Sequence, residues 1–119
     1  MSKLTEALEA KGCDMKTTLE RFLNDEDFYE NCLFEMLDDK NFELLGECLE
    51  KNDIDAAFNC AHTLKGLVAN MGLESLLNII VKIVEPLRNG INDGVMDIYR
   101  QFMDEKEEYR KIVESVSRI

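Results

Sequence analysis

Apolar residues recur along this chain at spacings of three and four, and nowhere in the strict alternation of a half-buried strand. That spacing gathers them on one face of a helix and leaves the other face to charge. Residues 2–10 read as a short helix ended by Gly12. Residues 15–23 read as another, with Leu19, Phe22 and Leu23 on one side. Asn24 or Asp25 is placed to cap a third segment, 26–37, whose inward positions are Phe28, Cys32, Leu33, Met36 and Leu37. Asp38, Asp39 and Asn41 break the pattern before Phe42, Leu45, Cys48 and Leu49 resume it up to Lys51, so this stretch is one bent helix or two.

Asp53 opens the next helix, and Gly72 ends it. Between them Ile54, Ala57, Ala61, Leu64, Val68 and Met71 form a bundle-seam stripe. Leu73, Leu76, Ile80, Ile83 and Leu87 form a second stripe over 73–89, widened by Leu77, Ile79, Val81 and Val84. Pro86 removes a backbone donor in the last turn of that helix. Asn89-Gly90 closes it, and Asn92-Asp93 is placed to cap the last helix. There Val95, Ile98, Phe102, Tyr109, Ile112, Val116 and Ile119 line up, with Glu105 and Lys106 interrupting. The expected architecture is all-α. It is an antiparallel up-and-down four-helix bundle over residues 26–119, with short extra N-terminal helices over 1–25 as a cap, in a single domain.

Charge narrows the partners. Fourteen Lys and Arg against 25 Asp and Glu give a net charge of -11. Nucleic-acid binding rests on basic residues that neutralise phosphates, and an anionic membrane surface selects the same residues, so neither is an expected partner. The acidity favours solubility and a partner with a basic face. Ile79 to Val84 is the most apolar stretch, and Lys82 interrupts it. No segment reads as a signal peptide or a membrane span, so a cytoplasmic location is expected. Cys13, Cys32, Cys48 and Cys60 contain no Cys-x-x-Cys pair and read as reduced thiols. A chain of 119 residues leaves no room for a nucleotide-binding kinase domain beside this core.

The chemistry gathers on one helix. His62 is the only histidine, with Lys65 at i+3 and Gly66 at i+4. Successive helical residues turn by about 100°, which puts His62 well over 90° from the centre of the apolar stripe, exposed, with Lys65 to one side and Gly66 to the other. Phe58 at i-4 and Ala69 at i+7 complete its surroundings. Neutral imidazole is a good nucleophile near physiological pH. Phosphoryl transfer asks a protein mainly for positioning and for cancellation of oxygen charge, which Lys65 can supply. Glycine inside a helix costs about 1 kcal/mol relative to alanine; beside the only histidine, that points to close approach by another molecule. Each residue alone has an ordinary structural explanation, and the combination is what carries information. A di-iron carboxylate bundle needs two Glu-x-x-His sets, and residue 59 is Asn. Cys60, two positions from His62, projects to the opposite side of the helix and cannot pair with it.

His62, Leu64, Lys65, Gly66 and Gly72, preceded by Ala61, form the pattern His-x-Leu-Lys-Gly with a glycine six residues later. In this the chain resembles the histidine-containing phosphotransfer (HPt) domain family. The stretches Leu19 to Phe22, Asn24 to Tyr29, Leu49 to Asp53 and Leu87 to Gly90 extend the likeness over nearly the whole chain. The resemblance implies that His62 accepts a phosphoryl group from the aspartyl phosphate of a response-regulator receiver domain and passes it to another receiver. It implies that Lys65 orients and neutralises the group, that Gly66 admits the receiver's loops, and that Mg²⁺ sits on the receiver alone. This chain itself is then expected to hold no metal or cofactor. A hybrid sensor histidine kinase is a further partner it suggests. The expected docking surface is the exposed part of the histidine helix and the next one. Phe58, Ala69 and Leu73 are its apolar rim, and Lys82 and Arg88 meet acidic groups of the receiver. A monomeric carrier without kinase activity of its own is expected. Many members carry Glu or Gln 22 residues after the histidine, bonded to its other ring nitrogen; here Val84 stands there, leaving water or Glu85 to orient the ring. Leu67 stands where many have Ser or Ala. The alternatives are an adaptor of the same fold that binds receivers or kinases without being phosphorylated, and a structural bundle with an accidental motif.

Overall fold

Helix starts and stops in this protein are set by local chemistry. The computed structural model describes residues 1–117, and its regular elements are α1 (Lys3–Ala10), α2 (Met15–Glu20), α3 (Glu26–Leu37), α4 (Asn41–Glu50), α5 (Ile54–Asn70), α6 (Glu74–Arg88) and α7 (Val95–Ser117). No strand occurs among the described residues. Ser2, Asp14, Asp25 and Asp53 each cap a helix by accepting a hydrogen bond from the backbone N–H three residues on. Four helices stop in one way. Gly12, Asn52, Gly72 and Gly90 take positive φ, and the following N–H reaches back to the carbonyl of Leu8, Cys48, Val68 or Pro86. The break at Asp38–Asn41 is thus real: α3 and α4 are two helices, and Asp39 Oδ1 accepts from the Asn41 N–H at 2.8 Å between them.

The second and third segments depart from expectation at one residue each. α2 ends at Glu20, and Leu23 is 86% exposed, because the chain turns through Leu23 and Asn24 with φ near +58° and +57° and lifts Leu23 off the core. In α3, Phe28 is 49% exposed and Tyr29 takes the buried place. Tyr29 Oη donates to the carbonyl of Met71 at 2.8 Å, a partner 42 residues away. Phe22 packs edge-on against both rings.

Helices α4, α5, α6 and α7 pack each on the next, and α7 closes back on α4; α1 and α3 also pack on α7. Their shared interior holds Leu45, Ala57, Leu64, Val68, Leu76, Ile80, Ile83 and Phe102, all fully buried. At the α4–α7 contact Gly46 faces Tyr99, whose Oη donates to the Phe42 carbonyl at 2.7 Å. The two charges that interrupt the α7 stripe are both partnered. Glu105 accepts from Ser75 and pairs with Lys11 at 3.0 Å. Lys106 lies with its Nζ 4.7 Å from the centre of the Phe42 ring. Asn92 spends its side-chain amide on the Leu49 carbonyl and Asn52 Oδ1, tying the α4–α5 turn to the α6–α7 turn rather than capping α7. Ile119 lies outside the described residues.

Candidate functional site

α5 is anchored at both ends. Asp53 Oδ1 accepts the Ala56 N–H at 3.2 Å at its start. At its end, Arg21 donates to the carbonyls of Asn70 and Ala69 at 3.0 and 3.1 Å, and Tyr29 to that of Met71. Gly72 turns there with φ +74°, pressed against the Thr18 side chain. The N-terminal segment therefore clasps the far end of the helix that carries the site.

Ala57, Ala61, Leu64 and Val68 of α5 are 0% exposed. They fix the helix rotation, and His62 is exposed as a result. Lys65 is half-buried one turn on, and its ammonium makes no ion pair among the described residues. Gly66 is exposed, and a Cβ built on it would meet nothing within 4 Å. Packing inside the chain thus gives no reason for a glycine there. Ala69 is exposed further along the same helix.

The Phe58 ring stacks on the His62 ring with centroids 5.8 Å apart and planes 18° from parallel. Arg88, from the last turn of α6, sits with its guanidinium carbon 5.4 Å from the Phe58 centroid. Its Nε is 3.6 Å from Glu85 Oε1. Phe58 and Arg88 also line, with Asp55, Asn59 and Leu87, a cleft of about 340 Å³ between α5 and α6. Sequence reasoning placed Phe58 beside His62 and Arg88 on the docking surface. It missed that the three stack, which needs the contact between α5 and α6. Glu85 is engaged with Arg88 and does not bond the imidazole.

One position differs from expectation. Leu73 is 0% exposed and so forms no rim. It follows Gly72 in the turn that ends α5, its N–H bonds the Val68 carbonyl at 3.0 Å, and the residue at that point of such a turn folds back on the helix's apolar face. Lys82 is exposed on α6 and makes no ion pair among the described residues. Val84, at the position where a Glu or Gln is common, is 0% exposed and apolar.

All four cysteines are free thiols. Burial pushes the Cys60 thiol up, and the neighbouring Cys48 adds to the rise, so Cys60 is a poor nucleophile beside the histidine. Among the described residues no cluster of three His, Cys, Asp or Glu side chains could hold a metal ion, and no helix is long and apolar enough to cross a membrane.

The assembled site is an exposed imidazole on a rigid helix, stacked on one aromatic ring, with a free ammonium one turn away and open space over a glycine. A family model described as Hpt domain matches residues 1–90, from α1 through α6, and so includes every site residue named above. No curated protein sequence and no solved structure matches the chain significantly.

Proposed function

Because the chain belongs to the Hpt domain family, we propose that it is a stand-alone phosphorelay carrier that moves a phosphoryl group between receiver aspartates through His62. Membership of the family brings involvement in histidine phosphotransfer, with receivers and kinases as the class of partner. The observation that supports the finer reading is the open space over Gly66 beside an exposed His62. That space leaves room for a docked receiver to bring its aspartyl phosphate towards the ring.

In the forward step a ring nitrogen lone pair of His62 attacks phosphorus. The P–N bond forms as the acyl-phosphate P–O bond breaks, and the receiver's aspartate leaves as a carboxylate. Lys65 offsets negative charge on the three phosphoryl oxygens as they flatten in the transition state. Mg²⁺ is assigned to the receiver. The reverse step, on a second receiver, uses the same groups. The chain acts as a carrier, with the phosphoryl group supplied from elsewhere.

The test is incubation with a phosphorylated receiver domain, followed by mapping of acid-labile, base-stable phosphate. Label on His62 in the wild type and none in His62→Gln is expected. Receiver binding without label, together with full signalling by His62→Gln, would replace the carrier with the phosphorylation-independent adaptor.

A further inference from the structure

Among the described residues nothing polar bonds the imidazole. Val84 is buried and apolar, and Glu85 is paired with Arg88. An exposed histidine with no partner exchanges among several rotamers, and a nucleophile that does so spends little time aligned with its target. The His62 ring is not in that condition, because Phe58 lies nearly parallel to it at 5.8 Å. Phe58 is itself held from two sides, by the core against which it packs and by the Arg88 cation at 5.4 Å. Glu85 in turn steadies Arg88.

We propose that Phe58, braced by Arg88, is a positioning residue that fixes the plane of the His62 imidazole from its face. This rests on His62 being the phosphoacceptor. The arrangement suits a two-way carrier. Both ring nitrogens have their N–H or lone pair in the plane of the ring, at its edge. A carboxylate or carboxamide partner occupies one of those nitrogens. A stacked ring occupies neither, so the plane is set while the whole edge stays open to the phosphoryl group. The lone-pair direction along which phosphorus must be approached lies in that plane. Offset stacking of aromatic rings is favourable at this separation, and Arg over an aromatic face adds to it. Phe58 takes no part in bond making.

The full-length chain is compared with Phe58→Leu, Phe58→Tyr and Arg88→Ala. Leucine keeps the apolar volume that packs on the core and removes the ring. Tyrosine keeps the ring. Two readouts are taken on each. The first is the NMR position of the His62 ring C–H signals, which the Phe58 ring current displaces. The second is the rate of His62 phosphorylation by phosphoramidate, a small donor with no docking surface, so that lost receiver contact cannot mimic lost positioning. Phe58→Leu is expected to lose the ring-current displacement and to slow phosphorylation about three- to tenfold, the range a stacking interaction spans. Phe58→Tyr restores both, and Arg88→Ala falls between. A wild-type rate in helical, folded Phe58→Leu overturns the proposal. If that variant fails to fold, an unchanged rate in Arg88→Ala overturns it instead. No phosphate on wild-type His62 from phosphoramidate or any receiver overturns the proposed function itself. The ring-current comparison then still shows whether the stack exists.

Discussion

Three glycines separate packing from function at single residues. At Gly46 an added Cβ would lie 2.7 Å from Tyr99 Oη, and at Gly72 it would strike Thr18 at a positive φ. Both positions are glycine because the fold has no room. At Gly66 there is room and ordinary helical backbone. Gly66→Ala is therefore expected to raise stability in urea denaturation by about 0.5–1 kcal/mol, the helix preference of alanine over glycine. The same change should slow transfer from a receiver, and Gly66→Leu should slow it further with the fold intact. Unchanged transfer rates would remove the close-approach argument. Gly46→Ala should do the opposite, costing about 1–3 kcal/mol as α4 and α7 are pushed apart, with transfer affected only through unfolding. His62, Lys65 and Gly66 were legible in the sequence because their placement needs only the helical angle and one apolar stripe. The Phe58–Arg88 contact was not, because residues 30 apart meet only once α6 packs on α5.

Whole elements were legible where their signals are local. Asp53 and Gly72 bracket α5 within two residues of its observed ends, and the stripe between them is the buried face. The failures came where a distant partner decides. Phe28 and Tyr29 are adjacent aromatics, and nothing nearby ranks them; the Met71 carbonyl does, by accepting the Tyr29 hydroxyl. Tyr29→Phe is expected to cost about 1 kcal/mol in chemical denaturation, since it leaves that buried carbonyl without its donor. Glu105 and Lys106 broke the α7 stripe for the same reason, their partners lying just past the end of α1, on α6 and on α4. At the end of α2, Leu23 holds a left-handed conformation that disfavours a side chain, and it is 86% exposed, so little burial offsets the strain. Leu23→Gly is expected to raise the urea midpoint, by about 0.5–1 kcal/mol in stability. A lowered midpoint would show that Leu23 makes a contact that its exposure hides.

The whole molecule is held together across its chain ends, and that fixes its response to pH. Glu26 accepts from the Ser2 N–H and the Thr5 hydroxyl, both at 2.8 Å, which holds its carboxyl below the usual range. For Glu105 burial alone would raise it, but the hydrogen bonds from Ser75 and Lys11 outweigh burial and the net shift is downward. Depressed carboxylates contribute stability above their ordinary value near 4.5 and lose it as pH falls through the folded value. Thermal stability should therefore fall steadily below pH 4.5, and less steeply in Glu26→Gln. At the alkaline end, burial raises the Tyr29 and Tyr109 hydroxyls. The unfolded chain releases those protons first, so stability should fall again above pH 10. A hydrogen bond between Cys13 Sγ and Tyr109 Oη joins residues 96 apart, and α1 itself packs on α7. That has a consequence for synthesis. α1 leaves the ribosome well before α7, the helix against which it packs. At about 5–20 residues per second, roughly 5–20 seconds pass before the helix it rests on exists. In that window Leu4 and Leu8 of α1, which the finished fold buries, are short of cover, and a chaperone or a neighbouring nascent chain competes with α7 to supply it.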